Sequence, residues 1–189
     1  MCIRDRVSAI KFIKDINSSN FFLTGAATKG LQAPGIRIGW VVSSKRNIEI
    51  LGNFSSIGMG GVSRLSQLYA LKLLDPKRVK IARSAVPSFY SKQRIRYMNA
   101  FNDLNLETHS GDGGFYHWCK LPNQISSATF NDRLFQYGAA ILKGTDCDML
   151  RKEDKSKLKS FFRFSFGPLK PSSFEKDIEI LGKVINGLT

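Results

Sequence analysis

The sequence predicts an α/β protein of one or two domains, on three observations. Short apolar or β-branched runs, bounded by glycine and polar turns, alternate with amphipathic stretches of helical period. Apolar residues are 42% of the 189, with 14 Phe, 5 Tyr and 2 Trp, enough to bury a core. A long basic amphipathic stretch over residues 77–104 reads as a helix linking two domains, with the boundary near residue 76.

The elements follow in order. Residues 1–6 have neither periodicity nor a turn signature and read as a non-native leader, the true chain entering near Val7 with an upstream portion missing. Residues 8–16 place Ile10, Phe12, Ile13 and Ile16 at near-helical spacing before the polar stop Asn17-Ser18-Ser19-Asn20. Residues 21–24 are a short strand and residues 25–35 a turn rich in small residues. Residues 36–43 alternate and are β-branched, which predicts a strand, and residues 45–51 a short helix. Gly58-Met59-Gly60-Gly61 is a flexible loop. Ser63 is placed to cap a helix over 64–74, which Asp75-Pro76 ends. Within the 77–104 stretch Pro87 predicts a kink or a break.

Beyond residue 104 the pattern is α+β. Strands are predicted over 106–108, 114–121, 139–142 and 161–166, and a helix over 127–137. Ser172-x-x-Glu175 has the form of a capping box opening a last helix, with Phe174, Ile178, Leu181, Val184 and Ile185 on one face. The segment before residue 76 has too few strands to close an α/β core by itself.

Composition excludes several classes. No apolar run reaches the roughly 18–20 residues that span a bilayer, and no signal-peptide pattern opens the chain, so a soluble, cytoplasmic protein is expected. The cysteines, Cys2, Cys119 and Cys147, are far apart and reduced thiols are expected; with only two histidines and no Cys-x-x-Cys pair, no metal site is predicted. The net charge of +14 is scattered, and its densest run, Arg151 to Lys159, is interrupted by Glu153 and Asp154. No zinc finger, RRM signature or basic zipper accompanies it, so anionic small ligands are expected rather than nucleic acid.

The chemistry is concentrated in Thr24-Gly25-Ala26-Ala27-Thr28-Lys29-Gly30-Leu31-Gln32-Ala33-Pro34-Gly35-Ile36-Arg37-Ile38-Gly39-Trp40. A lysine stands in a small-residue loop directly after an apolar strand, and Arg37 stands at the mouth of the next. Pro34-Gly35 suits the central positions of a type II turn, glycine supplying the positive φ, which would return Arg37 toward the crevice of Lys29. That arrangement suits a phosphorylated aldehyde: the lysine amine forms a Schiff base, the Arg37 guanidinium grips phosphate with paired hydrogen bonds, and the Thr28 hydroxyl adds a phosphate contact.

The same string resembles the signature Ser/Thr-Lys-four residues-Pro-Gly-x-Arg-x-Gly of class I/II aminotransferases. Gly111-Asp112-Gly113-Gly114-Phe115-Tyr116-His117-Trp118 is similar to the Gly-Gly/Ala-Phe-Tyr strand early in that family's small domain. Gly138-Ala139-Ala140-Ile141-Leu142-Lys143-Gly144 resembles its strand ending in a Pro-Gly turn, with Lys143 in place of the proline. Phe162-Arg163-Phe164-Ser165-Phe166-Gly167 resembles the segment whose arginine binds the substrate α-carboxylate. In a strand Phe162 and Phe164 point opposite to Arg163, so the arginine can face a cleft while they pack. His109 and His117 sit in or beside predicted strands, nothing pairs either with a plausible nucleophile, and both read as structural.

The resemblance implies a fragment of a fold-type-I pyridoxal-phosphate (PLP) transferase. Residues 7–76 would be the tail of the large, mostly parallel-sheet domain, and residues 77–189 the linking helix and α/β small domain. It implies transamination between an amino acid and a 2-oxo acid, with pyridoxal 5'-phosphate on Lys29, Arg37 and Thr28 as cofactor contacts, Arg163 as substrate contact, and a homodimer in which Ser63 and Gly60-Gly61 could approach the partner's cofactor. Two departures matter. Ala26 stands where many relatives carry a phosphate-binding serine, and the family's upstream Asp, Asn, Tyr, stacking aromatic and glycine-rich loop are absent from this chain, so the fragment alone is expected to be a poor catalyst or none. A PLP lyase of the aminocyclopropane-carboxylate-synthase type shares the same string, and a non-catalytic PLP-fold binding domain is the other alternative.

Overall fold

A computed structural model describes residues 9–149 and 155–188. The expected leader, residues 1–6, lies outside the described residues, as do Arg151 to Asp154 of the basic run. The described chain forms two compact units, one ending at Pro87 and the other beginning at Ser88. This division falls within a helix.

The first unit opens with a 3-10 turn, Ala9–Phe12, in place of the longer helical stretch expected over 8–16. Strands β1 (Leu23–Ala26) and β2 (Gly39–Val42) then pair antiparallel, with Gly25 opposite Trp40 and Ala26 opposite Gly39. Between them lie the one-turn helix α1 (Ala27–Gly30) and a 3-10 turn, Pro34–Ile36. The expected type II turn does not form. Gly35 takes no positive φ; the left-handed residues of the loop are Gln32 (φ 52°) and Arg37 (φ 51°). The physical reason is visible at the turn itself: Arg37 Nη1 donates to the Pro34 carbonyl at 2.9 Å, stabilising a tight 3-10 form with the conformational reversal displaced onto Arg37.

Helix α2 (Lys45–Gly58) begins where Ser44 Oγ accepts from the Asn47 amide, and it runs well beyond the expected end at residue 51. Helix α3 (Arg64–Leu73) is capped by Ser63, whose Oγ accepts from the Ser66 amide at 3.4 Å, as its sequence position predicts. Asp75 then accepts from the amides of Lys77 and Arg78 at 3.0 and 3.1 Å, and Pro76 occupies the first turn of α4 (Pro76–Asp103). Proline is tolerated there because that amide has no helical partner to lose. Helix α4 does not break at Pro87 but continues through it.

The second unit holds an antiparallel sheet in the order β3-β4-β6-β5: β3 (Glu107–His109), β4 (Tyr116–Lys120), β5 (Leu142–Lys143) and β6 (Phe161–Ser165). No parallel pair occurs among the described residues. Strand β5 is two residues long and lies later than the 139–142 expected. Helices α5 (Ser127–Phe135) and α6 (Phe174–Asn186) complete the unit. Gly138 (φ 69°) ends α5 in a Schellman arrangement, the Ala139 amide donating to the Leu134 carbonyl at 3.0 Å.

One face of this sheet supplies His117, Cys119, Phe162 and Phe164 to a core shared with Tyr97 and Phe101 of α4, Phe130 and Leu134 of α5, and Leu181, Val184 and Ile185 of α6. Phe164 sits 4.9 Å from the Tyr97 ring and 5.0 Å edge-on from Phe101. Each such aromatic contributes about 1.5–3 kcal/mol by burial alone. The expected capping box at Ser172 does not form. Residues Pro171–Ser173 make a 3-10 turn, and Ser173 Oγ donates to Asp177 Oδ2 at 2.8 Å rather than capping an amide. Asp177 also accepts from the Tyr97 hydroxyl at 2.7 Å; burial, together with this contact, holds the Tyr97 phenol protonated well above its ordinary range.

Candidate functional site

The lysine loop is fixed from both ends. The Ala27 side chain is fully buried, its amide donates to the Ile38 carbonyl at 3.2 Å, and its carbonyl accepts from Ala33 at 3.1 Å. These bonds tie the end of β1 to the start of β2 across the excursion that carries Lys29, so the loop is a closed structure rather than a free turn. The Gln32 amide donates to the Lys29 carbonyl at 3.2 Å and closes the turn behind the lysine.

Glycine is required beside it. A Cβ at Gly25 would fall 2.3 Å from Trp40 Nε1, because the indole lies across the Gly25 backbone. Gly39, opposite Ala26, would bring a Cβ to 3.0 Å from the Gly25 carbonyl. The result is a cleft of about 590 Å³ with Lys29 in its lining and the Trp40 indole as one wall. Leu74, Val79, Ala82 and Arg83, from the end of α3 and the first turns of α4, complete it. Its size lies within the roughly 300–1,000 Å³ typical of small-molecule sites.

Thr28 is half-buried in α1, next to Lys29 but not in the lining of this cleft. Arg37 is exposed, with Nη1 on the Pro34 carbonyl, and is not part of the lining either. Trp40 and Arg83 do line it and were missed by the sequence reading. Only the β1–β2 register brings Trp40 onto Gly25, and only the fold brings α4 to the lysine loop.

Arg163 lies in the second unit, on the sheet face opposite the core. The strand alternates as expected, with Phe162 and Phe164 buried behind it. Its guanidinium carbon stands 5.3 Å from the Tyr116 ring centre, and its Nε is buried without a hydrogen-bond partner among the described residues. It contributes to a separate cavity of about 570 Å³ that Tyr137, Ile141, Lys176 and Ile180 also line.

The histidines divide. His109 is exposed and pairs with Glu107 at 3.0 Å. His117 is fully buried; its Nε2–H donates to the Arg94 carbonyl at 3.2 Å, which leaves Nδ1 to accept from the Ser110 hydroxyl. The structure thus does give His117 a hydroxyl neighbour. Desolvation lowers its pKa to about 4, so it is a neutral core group at neutral pH. Burial pushes the Cys119 thiol up to about 12, which makes it unreactive. No cluster of three metal-ligating side chains occurs among the described residues. No described helix is long and apolar enough to cross a membrane.

The fold is that of solved aminotransferases. The chain superimposes on the Pyrococcus horikoshii kynurenine aminotransferase, solved in complex with PMP, at a TM-score of 0.79 and 22% identity, covering 90% of this chain and 42% of that one. It superimposes on LysN, the α-aminoadipate aminotransferase of Thermus thermophilus, solved with N-(5'-phosphopyridoxyl)-L-leucine, at 0.75 and 18% identity, covering 88% and 42%. Among curated sequences, the LL-diaminopimelate aminotransferase of Dehalococcoides mccartyi is 26% identical over 119 residues, which are 62% of this chain and 30% of that protein. The profile of the family "Aminotransferase class I and II" matches residues 5–176, and the chain belongs to that family. It spans less than half the length of these relatives.

Proposed function

We propose that this chain carries the lysine-bearing part of a PLP-dependent aminotransferase that exchanges an amino group between an amino acid and a 2-oxo acid. The observation that carries this reading is Lys29, held by the Ala27–Ile38 bond in a loop that opens on a walled cleft. The cleft fits the cofactor in charge and shape: its two ionisable lining groups are cations, and the Trp40 indole offers a flat wall. When bound, pyridoxal 5'-phosphate supplies a ring that stabilises negative charge at the substrate Cα.

The chain's own residues would do the rest. Lys29 would hold the cofactor through its amine and would move the substrate Cα proton as general base and acid. Arg37 and Thr28 would hold the phosphate from the same hydrogen-bonded loop, although neither lines the cleft itself. Arg163 holds the substrate α-carboxylate. The buried Nε of Arg163, without a hydrogen-bond partner among the described residues, supports that role, because a buried charged donor left unmade is costly and an anion would satisfy it. The whole protein would work in the cytoplasm as a homodimer on small-molecule substrates, with no nucleic-acid partner. The apolar side chains that α2 and α3 leave exposed, Phe54, Ile57 and Leu65, support a protein partner for this unit.

The test is a titration of the chain with pyridoxal 5'-phosphate followed by visible absorbance. Wild type should develop a saturable band that K29A lacks; the same band in both would refute Lys29 as the attachment point.

A further inference from the structure

Helix α4 brings a second cation to the lysine cleft. Val79, Ala82 and Arg83 follow the i, i+3, i+4 spacing that places side chains on one helix face, and all three line the cleft. Lys29 enters from the loop after β1 and Arg83 from a 28-residue helix, so the two ionisable groups of the lining come from separate elements and share one space. The remaining lining is small or apolar, with the Trp40 indole seated on Gly25. Lys29 and Arg83 are both exposed at this cleft, and two cations on one space make a positive field that draws anions to it. A guanidinium meets phosphate or carboxylate through paired hydrogen bonds, and a helix-borne one is better fixed than one on a loop.

We infer that Arg83 is an anion-binding residue of the Lys29 cleft, gripping a phosphate or carboxylate of the same small planar ligand whose other end reaches the lysine amine. The inference rests on the reading of Lys29 as the cofactor lysine, and it adds a contact on α4 to those in the loop. Arg83 is here a binding residue and takes no part in proton transfer.

The experiment measures affinity rather than turnover, on the intact 189-residue chain. Quenching of tryptophan emission is titrated with pyridoxal 5'-phosphate, with pyridoxal lacking the phosphate, and with maleate as a dicarboxylate probe, for wild type, R83Q and R83K. The expected result is a loss of about tenfold or more for an anionic probe in R83Q, from one lost charge-assisted contact, with partial recovery in R83K. A loss for pyridoxal 5'-phosphate with pyridoxal unchanged assigns the phosphate as the anion. A loss for maleate alone assigns a carboxylate. Unchanged affinity for both anions in R83Q, or an equal loss for pyridoxal and its phosphate, overturns the inference. Covalent trapping of the cofactor separates this failure from that of the Lys29 reading. R83Q at saturating cofactor should still be trapped at Lys29, whereas wild type that cannot be trapped there would remove the Lys29 reading and leave the phosphate titration to decide Arg83 alone.

Discussion

The two units of this chain are built from similar residues and solve burial differently. The second unit closes its own core: Phe101, Phe130 and Phe162 are fully buried, each on a different element, and the sheet contributes alternate residues to one face. The first unit buries Ala27, Ala70 and Leu73 but leaves Phe54 74%, Leu65 80% and Ile57 89% exposed, although its helices are as well capped. Local signals therefore form the helices of both units, while only the second converts its apolar pattern into packing. Helix capping contributes about 1 kcal/mol per site and cannot replace a core. Around Lys29 the first unit is held instead by backbone hydrogen bonds and close glycine contacts.

The largest expected effect separates the two modes. Phe164→Ala should cost about 3–5 kcal/mol in urea unfolding of the second unit, since it removes a ring in contact with Tyr97 and Phe101. Phe54→Ala should stay within about 0.5 kcal/mol. Equal costs would break the comparison. Next comes Gly144→Ala: a Cβ there would lie 2.3 Å from the Leu158 carbonyl and 2.6 Å from that of Phe161, both backbone atoms that cannot turn aside. A loss of about 1–3 kcal/mol is expected, whereas Gly52, with open space around it, should accept alanine without loss.

Hydrogen exchange sharpens the same contrast. Amides of β4 and β6 should exchange only with global opening of their unit, and those of α2 and α3 by cheaper local opening. Comparable protection would show that the exposed apolar residues are covered in solution.

A further contrast lies in pH dependence. The folded pKa of His117, about 4, lies below its unfolded value near 6.5, so the unfolded chain binds more protons between the two. Its contribution to stability is complete above pH 6.5 and is lost as pH falls toward 4. The urea midpoint of wild type should drop across that window, and H117Q should show a shallower dependence; an identical slope would mean that His117 is not buried neutral.

How much of this was legible in the sequence follows from where each feature is decided. Ser63 as a cap, the alternation around Arg163 and the apolar face of α6 are set by residues a few positions apart, and they were readable. The turn at Pro34-Gly35 was not, because the Arg37 side chain bonds back to the Pro34 carbonyl and selects a different form. The capping box failed for a related reason: Asp177, one turn on, recruits Ser173 and Tyr97 into a network that outweighs a cap at Ser172. The lysine motif was plain as a string. The partners of its cleft were not, since Trp40 depends on strand register and Arg83 on the packing of a helix remote in sequence.

Among all the lysines of a strongly basic chain, Lys29 is the one we propose to bond the cofactor. Reduction with borohydride in the presence of limiting pyridoxal 5'-phosphate, followed by peptide mapping, tests it most directly. Modification should concentrate on the peptide containing Lys29 and be lost in K29A; modification spread evenly over the exposed lysines, with Lys29 no more labelled than Lys45 or Lys77, would contradict that assignment.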